Sequence, residues 1–540
     1  MILFRGPIIW VAALVALTIA HAGPTVNAPA GTVEGQAESA LRVFKGIPFA
    51  VPPLGAGRWR APAPMAPWQG VKSATDFGPA CVQPSFRFKS IYAQDLGPVS
   101  EDCLTLNIWA PADARKAPVF FWIHGGSLSG GGSKESLYDG TRLAARGIVV
   151  VTINYRLGVL GYLAHPQLSR ESPLQISGNY GLLDQVQALK WVQQNIEAFG
   201  GDPANVTIAG ESAGGLSVMY LLASPAARGL FSKAIAQSSY MVSMPELRDR
   251  KFGETPAELI GARLVTTLGA TNIGALRKMD AQTLVDNAAV ARYLPLGTVD
   301  GKVLPHQLVE TFDKGEQARV PLLAGFNAGE IRSLTNLAPP VPASATAYEA
   351  TIRERYGDLA NEFLRLYPSS NLQESIFATT RDALYGWTAE RLARKQAAVG
   401  VPSYLYLFDH GYPAADEAGL HAFHASELPF MFGNPDRTPQ FWPKIPTTPQ
   451  ETRLADAMVG YWTSFAKTGT PSAQNEAAWA PYGSTEAYMH FADAPKAESN
   501  VFPGMFELHE EAVCRRRKNG DQQWNWNTGL VSPTLGPACP

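Results

Sequence analysis

Val206-Thr207-Ile208-Ala209-Gly210-Glu211-Ser212-Ala213-Gly214-Gly215 is the stretch whose reading decides the fold. A β-branched run ends in Gly-x-Ser-x-Gly, the pattern of a nucleophile elbow, in which a tight strand-to-helix turn presents a serine Oγ at the edge of a sheet. Such a turn strains the serine backbone and brings strand and helix so close that side chains at 210 or 214 would hinder it. Taken alone, the pattern arises easily by chance in a chain this rich in glycine. The rest of the sequence has to supply a reason for Ser212 to react.

The segments around the elbow point to an α/β fold with a mainly parallel sheet. Leu104 to Trp109, Val119 to Ile123 and Ile148 to Ile153 are largely apolar, as strands buried on both faces should be. Between the third of them and the elbow, Tyr180 to Phe199 places Leu182, Leu183, Val186, Leu189, Val192 and Ile196 at mostly three- and four-residue steps, the period of a helix. Further strands are expected at Val320 to Phe326 and Ser403 to Phe408, and a strong helix at Arg453 to Lys467. Helical signals between about 245 and 400 suggest insertions forming a cap over the sheet.

The 540 residues carry 45 Lys plus Arg against 47 Asp plus Glu, so no broad field favours nucleic acid or an anionic membrane. A small molecule is the expected partner, and neither a metal nor another cofactor is expected. His421 and His424 stand at a metal-binding step, but no third ligand accompanies them. Arg5, the apolar run Ile8 to Ala20 and Ala20-His21-Ala22 read as a signal peptide cleaved near Ala22, with residues 23–540 as one domain. The run is short for a stable membrane anchor, and a secreted or periplasmic location follows. In such a compartment the four cysteines are expected to pair as Cys81–Cys103 and Cys514–Cys539, each bond contributing about 3 kcal/mol. Arg515 to Lys518 reads as a solvated basic tail, and Asn205-Val206-Thr207 as a glycosylation sequon without a role. The sequence does not indicate an oligomeric state.

A serine hydroxyl needs a base, usually a histidine held by a carboxylate. In sheet hydrolases the chain order is nucleophile, acid, base. Glu330, in the loop after Val320 to Phe326, suits the acid. His424 and His421 then compete for the base, with little in the spacing to separate them. The glycines of Trp122-Ile123-His124-Gly125-Gly126 end a buried strand in the manner of an oxyanion loop, so Gly125, Gly126 and Ala213 are the expected N–H donors.

These residues, together with Phe44 to Ala50, Ser100 to Trp109, Asn154 to Gly158, Phe423 to Gly433 and Tyr461 to Pro471, resemble the type-B carboxylesterases. That α/β-hydrolase family includes the cholinesterases and bacterial para-nitrobenzyl esterases. The resemblance implies Ser212 as nucleophile, Glu330 as acid and His424 rather than His421 as base. It implies Cys81–Cys103 as the family's N-terminal disulfide, and Glu211 and Glu427 as supports of the catalytic loop. Ester hydrolysis through an acyl-enzyme is the implied activity. The chain is also similar to fumonisin esterases, which implies esters of tricarballylic acid. A broad-specificity esterase, a lipase and a non-catalytic cholinesterase-like binding protein are the alternatives. Departures from the family pattern at Ser127, Ser239, Tyr240 and Arg332 mark the expected substrate pocket, where Arg332 would place a cation beside the acyl group.

Overall fold

Along Val119 to Ile123, the side chains at 119, 121 and 123 join one hydrophobic core, whereas Phe120 and Trp122 join another. The same division recurs at Leu405 and Leu407 against Tyr404, Tyr406 and Phe408. A strand whose successive side chains alternate between two apolar layers must be apolar throughout, which accounts for the unbroken runs in the sequence. The computed structural model describes residues 23–85, 90–525 and 527–539, and the expected signal peptide lies outside them.

The main sheet has eleven strands: β1 (Gln36–Glu38), β2 (Leu41–Pro48), β3 (Thr105–Pro111), β4 (Ala117–Ile123), β5 (Val149–Ile153), β6 (Gly201–Glu211), β7 (Lys233–Gln237), β8 (Leu322–Asn327), β9 (Ser403–Phe408), β10 (Ala487–Phe491) and β11 (Pro495–Ser499). Their spatial order is β11-β10-β9-β8-β7-β6-β4-β5-β3-β2-β1. From β5 through β10 all neighbours run parallel, and antiparallel pairing is confined to the two margins. The α/β expectation therefore holds.

Helices Tyr180–Asn195, Ala213–Ala223 and Trp387–Ala398 pack in the first core, and Pro449–Thr468 in the second. Each end of the last helix has its stop signal: the Thr448 hydroxyl accepts the Glu451 N–H, and Gly469 takes φ +79°. Between β7 and β8, helices Ala257–Thr267, Ile273–Lys278 and Ala281–Val290 join Trp59, Leu163 and Leu168 in a separate cluster around Leu264, Leu276 and Leu284. These are the expected helical insertions.

Both expected disulfides are present. One expectation fails: Arg515 to Lys518 is not a solvated tail but the last turn of a helix, Met505–Asn519. Arg515 donates to both carboxylate oxygens of Asp358 and to Glu511, while the buried Arg516 pairs with Ser532. Planar guanidinium groups satisfied on several sides can be buried where a charge count alone predicts exposure.

The loop closed by Cys81–Cys103 spans 22 residues. Replacing both cysteines with alanine is expected to lower unfolding free energy by about 3 kcal/mol. Equilibrium denaturation measures this, and an unchanged midpoint and slope would contradict it.

Candidate active site

The elbow forms because two backbones meet with no room between them. A Cβ on Gly214 would lie 2.1 Å from the Ile123 carbonyl oxygen, and one on Gly210 would lie 2.5 Å from the Gly214 carbonyl. Ser212 sits at φ +56°, ψ −121°, a sparsely populated conformation for a residue with a side chain, and heads the helix Ala213–Ala223. Its N–H donates to the Gln237 carbonyl at 2.9 Å, which ties the turn to the end of β7.

Acid and base meet through a second backbone contact. Gly329 and Phe423 form an isolated parallel bridge, with the Gly329 N–H donating to the Ala422 carbonyl at 2.8 Å. One residue further along each loop, Glu330 Oε2 pairs with His424 Nδ1. The other Glu330 oxygen accepts the Asn327 N–H at 2.9 Å. Tyr92 donates its hydroxyl to the His424 carbonyl at 2.8 Å, and the Asn327 amide donates to the Phe423 carbonyl at the same distance. His421, the competing base, instead pairs with Asp416 and Asp409.

The opposite nitrogen of His424, Nε2, lies 3.0 Å from Glu211 Oε1. Burial works against a charge on this ring, but Glu211 and Glu330 outweigh it and push His424 up to about 9. Burial also drives the Glu211 carboxyl well above the usual carboxylate range. The two shifts describe one proton held between Nε2 and Oε1. Glu427, behind them, accepts from Gln237 at 3.0 Å and from Asn327 at 2.7 Å, and burial pushes it up to about 7. Ser212 and His424 line the same cavity, without a direct hydrogen bond between their side chains among the described contacts. For His424 to accept a proton from Ser212, Nε2 would have to exchange Glu211 for the Ser212 hydroxyl, a tightening that catalytic pairs commonly complete only with substrate bound.

That cavity, about 1110 Å³, runs past Gly125, Gly126, Ser127, Tyr138, Tyr240 and Tyr385. The Tyr138 hydroxyl lies close to the Gly125 N–H. The N–H groups of Gly126 and Ala213 have no protein acceptor among the described residues. Of the expected pocket residues, Ser127 and Tyr240 do line the cavity, Ser127 at φ +56°. Ser239 does not: its side chain is fully buried against the position of Gly215. Arg332 does not either. Its guanidinium donates to Glu374 at 2.7 Å, while Ile331 beside it fills the core. The short helical turn Glu330–Arg332 sends successive side chains in different directions, so nearness to the acid in sequence does not bring Arg332 to the pocket. Gln237, Asn327 and Tyr92 escape the sequence reading. The first two stand at strand ends beside recognised loops, a usable signal, whereas Tyr92 lies in an irregular segment with none.

A carboxylesterase family model matches residues 22–507 of the chain. The Fumonisin B1 esterase of Sphingopyxis macrogoltabida is 38% identical over 458 residues, covering 83% of each chain. The para-nitrobenzyl esterase of Bacillus subtilis is 37% identical over 452 residues, covering 82% of this chain and 90% of the relative. A solved PNB esterase structure superimposes with a TM-score of 0.78 at 35% identity, over 90% of this chain and 99% of the other.

The Glu211 carboxylate stabilises the charged form of His424, so removing it must lower the imidazole pKa. Glu211→Gln is expected to shift the His424 titration, followed by NMR of the ring nitrogens, downward by about one unit or more. An unchanged or raised midpoint would contradict the proton-sharing geometry.

Proposed function

The chain belongs to the carboxylesterase family and is a carboxylic ester hydrolase, and from that premise we propose that it acts through an acyl-enzyme on Ser212, with His424 as base and Glu330 as the acid that orients it. The observation that carries this reading is the Gly329–Phe423 bridge, which sets Glu330 against His424 at the wall of the cavity that Ser212 also lines. His424 takes the Ser212 proton through Nε2 as Oγ attacks the ester carbonyl. The N–H groups of Gly126 and Ala213 face the resulting oxyanion, and Gly125 adds to them where Tyr138 releases it. His424 then gives its proton to the departing alcohol, and water repeats the cycle to free the acid. Glu330 keeps Nδ1 protonated throughout and stabilises the imidazolium.

The same reading takes residues 23–540 as one hydrolase unit, supported by a single sheet that gathers strands from Gln36 to Ser499. Two disulfides and the leader-like residues 1–22 support export. No helix among the described residues is long and apolar enough to cross a membrane. For the substrate we propose an ester of a polycarboxylic acid, fumonisin's tricarballylate esters included, on the strength of the Sphingopyxis relative. A broader range of esters is the second reading. It is favoured by the size and largely apolar and aromatic lining of the cavity, which exceeds that of most sites for one small ligand.

Ser212→Ala is expected to lower kcat by a factor on the order of 10⁴ on any ester the protein hydrolyses, with the fold intact by circular dichroism. Near-normal turnover by the folded variant would overturn the assignment.

A further inference from the structure

Arg332 is held by Glu374, so a cation for an anionic substrate has to come from elsewhere on the cavity wall. Two other guanidinium groups line that cavity, Arg263 and Arg292. Arg263 belongs to the helix Ala257–Thr267, whose residues Ala257, Ile260, Leu264 and Thr267 also line the cavity at three- and four-residue steps, so this face of the helix forms one wall. Arg292 follows the helix Ala281–Val290 at φ +57°, in the segment that leads to Leu294, itself a lining residue and 77% exposed. Both arginines are exposed, and neither guanidinium has a hydrogen bond or ion pair among the described residues. Nearby arginines of the same insertion are matched: Arg248 lies against Glu258, and Arg277 is held by Glu171.

The carboxylates of the cavity are committed elsewhere. Glu211 faces His424, Glu254 accepts from Ser243 and Gln523, and Glu135 accepts the Gly132 N–H. The lip thus carries two guanidinium groups that no carboxylate among the described residues pairs with, above a mostly apolar interior that ends at the reactive serine. We propose that Arg263 and Arg292 are specificity-determining residues that select esters whose acid part carries a further carboxylate, reached across the apolar span between Ser212 and the lip. The fork of a guanidinium meets a carboxylate with two parallel N–H donors, which suits it to this task better than a lysine. This inference rests on the ester-hydrolase reading of the same cavity and adds to it the residues that would select a polycarboxylate ester.

The test uses 4-nitrophenyl half-esters of linear dicarboxylic acids, from succinic to sebacic, each beside the neutral monocarboxylic ester of equal length. In the unmodified protein the ratio of kcat/KM, anionic over neutral, is expected to rise to about tenfold at one chain length and to shrink as salt is added. In the double variant Arg263→Gln/Arg292→Gln, checked for folding by thermal denaturation, the ratio is expected to fall to about one at every length. Arg263→Lys/Arg292→Lys should recover part of it. A wild-type ratio at or below one throughout the series, or a preference that survives in the double glutamine variant, would overturn the role of the arginines. If neither series is hydrolysed while the protein is folded, it is the ester-hydrolase reading of Ser212 that fails instead.

Discussion

The approach of the elbow to the end of β4 is the contact on which the site depends. Gly214 meets the Ile123 carbonyl so closely that no side chain fits, and Gly210 meets Gly214 in the same way. This closeness forces Ser212 into a conformation costing on the order of 1–3 kcal/mol, sustained by the burial of the strand and helix on either side. It also fixes the glycine loop beyond β4. Gly125 and Gly126 follow Ile123 after the single residue His124, so whatever holds the elbow against β4 holds Ser212 beside their backbone N–H groups. A Cβ on Gly125 would itself fall 3.2 Å from the Ser212 Cβ.

A second constraint, electrostatic rather than steric, governs His424. His424 is buried with Glu330 on one ring nitrogen and Glu211 on the other, and Glu427 lies close behind. Burial, and after it the neighbouring carboxyl groups, raises Glu211 and Glu427, while the imidazole charge is favoured. Gln237 and Asn327 supply the fixed amide donors that make Glu427 tolerable there. On the proposed mechanism, the imidazolium formed as Ser212 loses its proton is therefore stabilised before any substrate arrives. The cost is a resting state in which Nε2 faces Glu211.

Much of this was legible in the sequence because it is written in local rules. Unbroken apolar runs mark strands sandwiched between helices, and the expected Ser403 to Phe408 is the strand observed. Glycines flanking Ser212 and following Ile123 mark close backbone approach. Chain order separates acid from base, and the family resemblance, not spacing, chose His424 over His421. What escaped depends on direction in three dimensions. Arg332 stands two residues from Glu330 yet turns toward Glu374, Ser239 is buried against Gly215 instead of lining the expected pocket, and Arg515 and Arg516 are drawn inward by Asp358, Glu511 and Ser532. Arg263 reaches the cavity from the helix Ala257–Thr267 and Arg292 from the turn after the helix Ala281–Val290, and nothing in their local sequence says so.

The central claim is that Ser212 is the one serine activated for acyl transfer by this arrangement. Treatment of the protein with a small organophosphate, followed by peptide mapping in a mass spectrometer, tests it most directly. The account predicts a single stoichiometric adduct on the peptide containing Ser212, formed at least a hundredfold more slowly when His424 is replaced by alanine. An adduct on a different residue, or labelling of Ser212 at the same rate without His424, would contradict it.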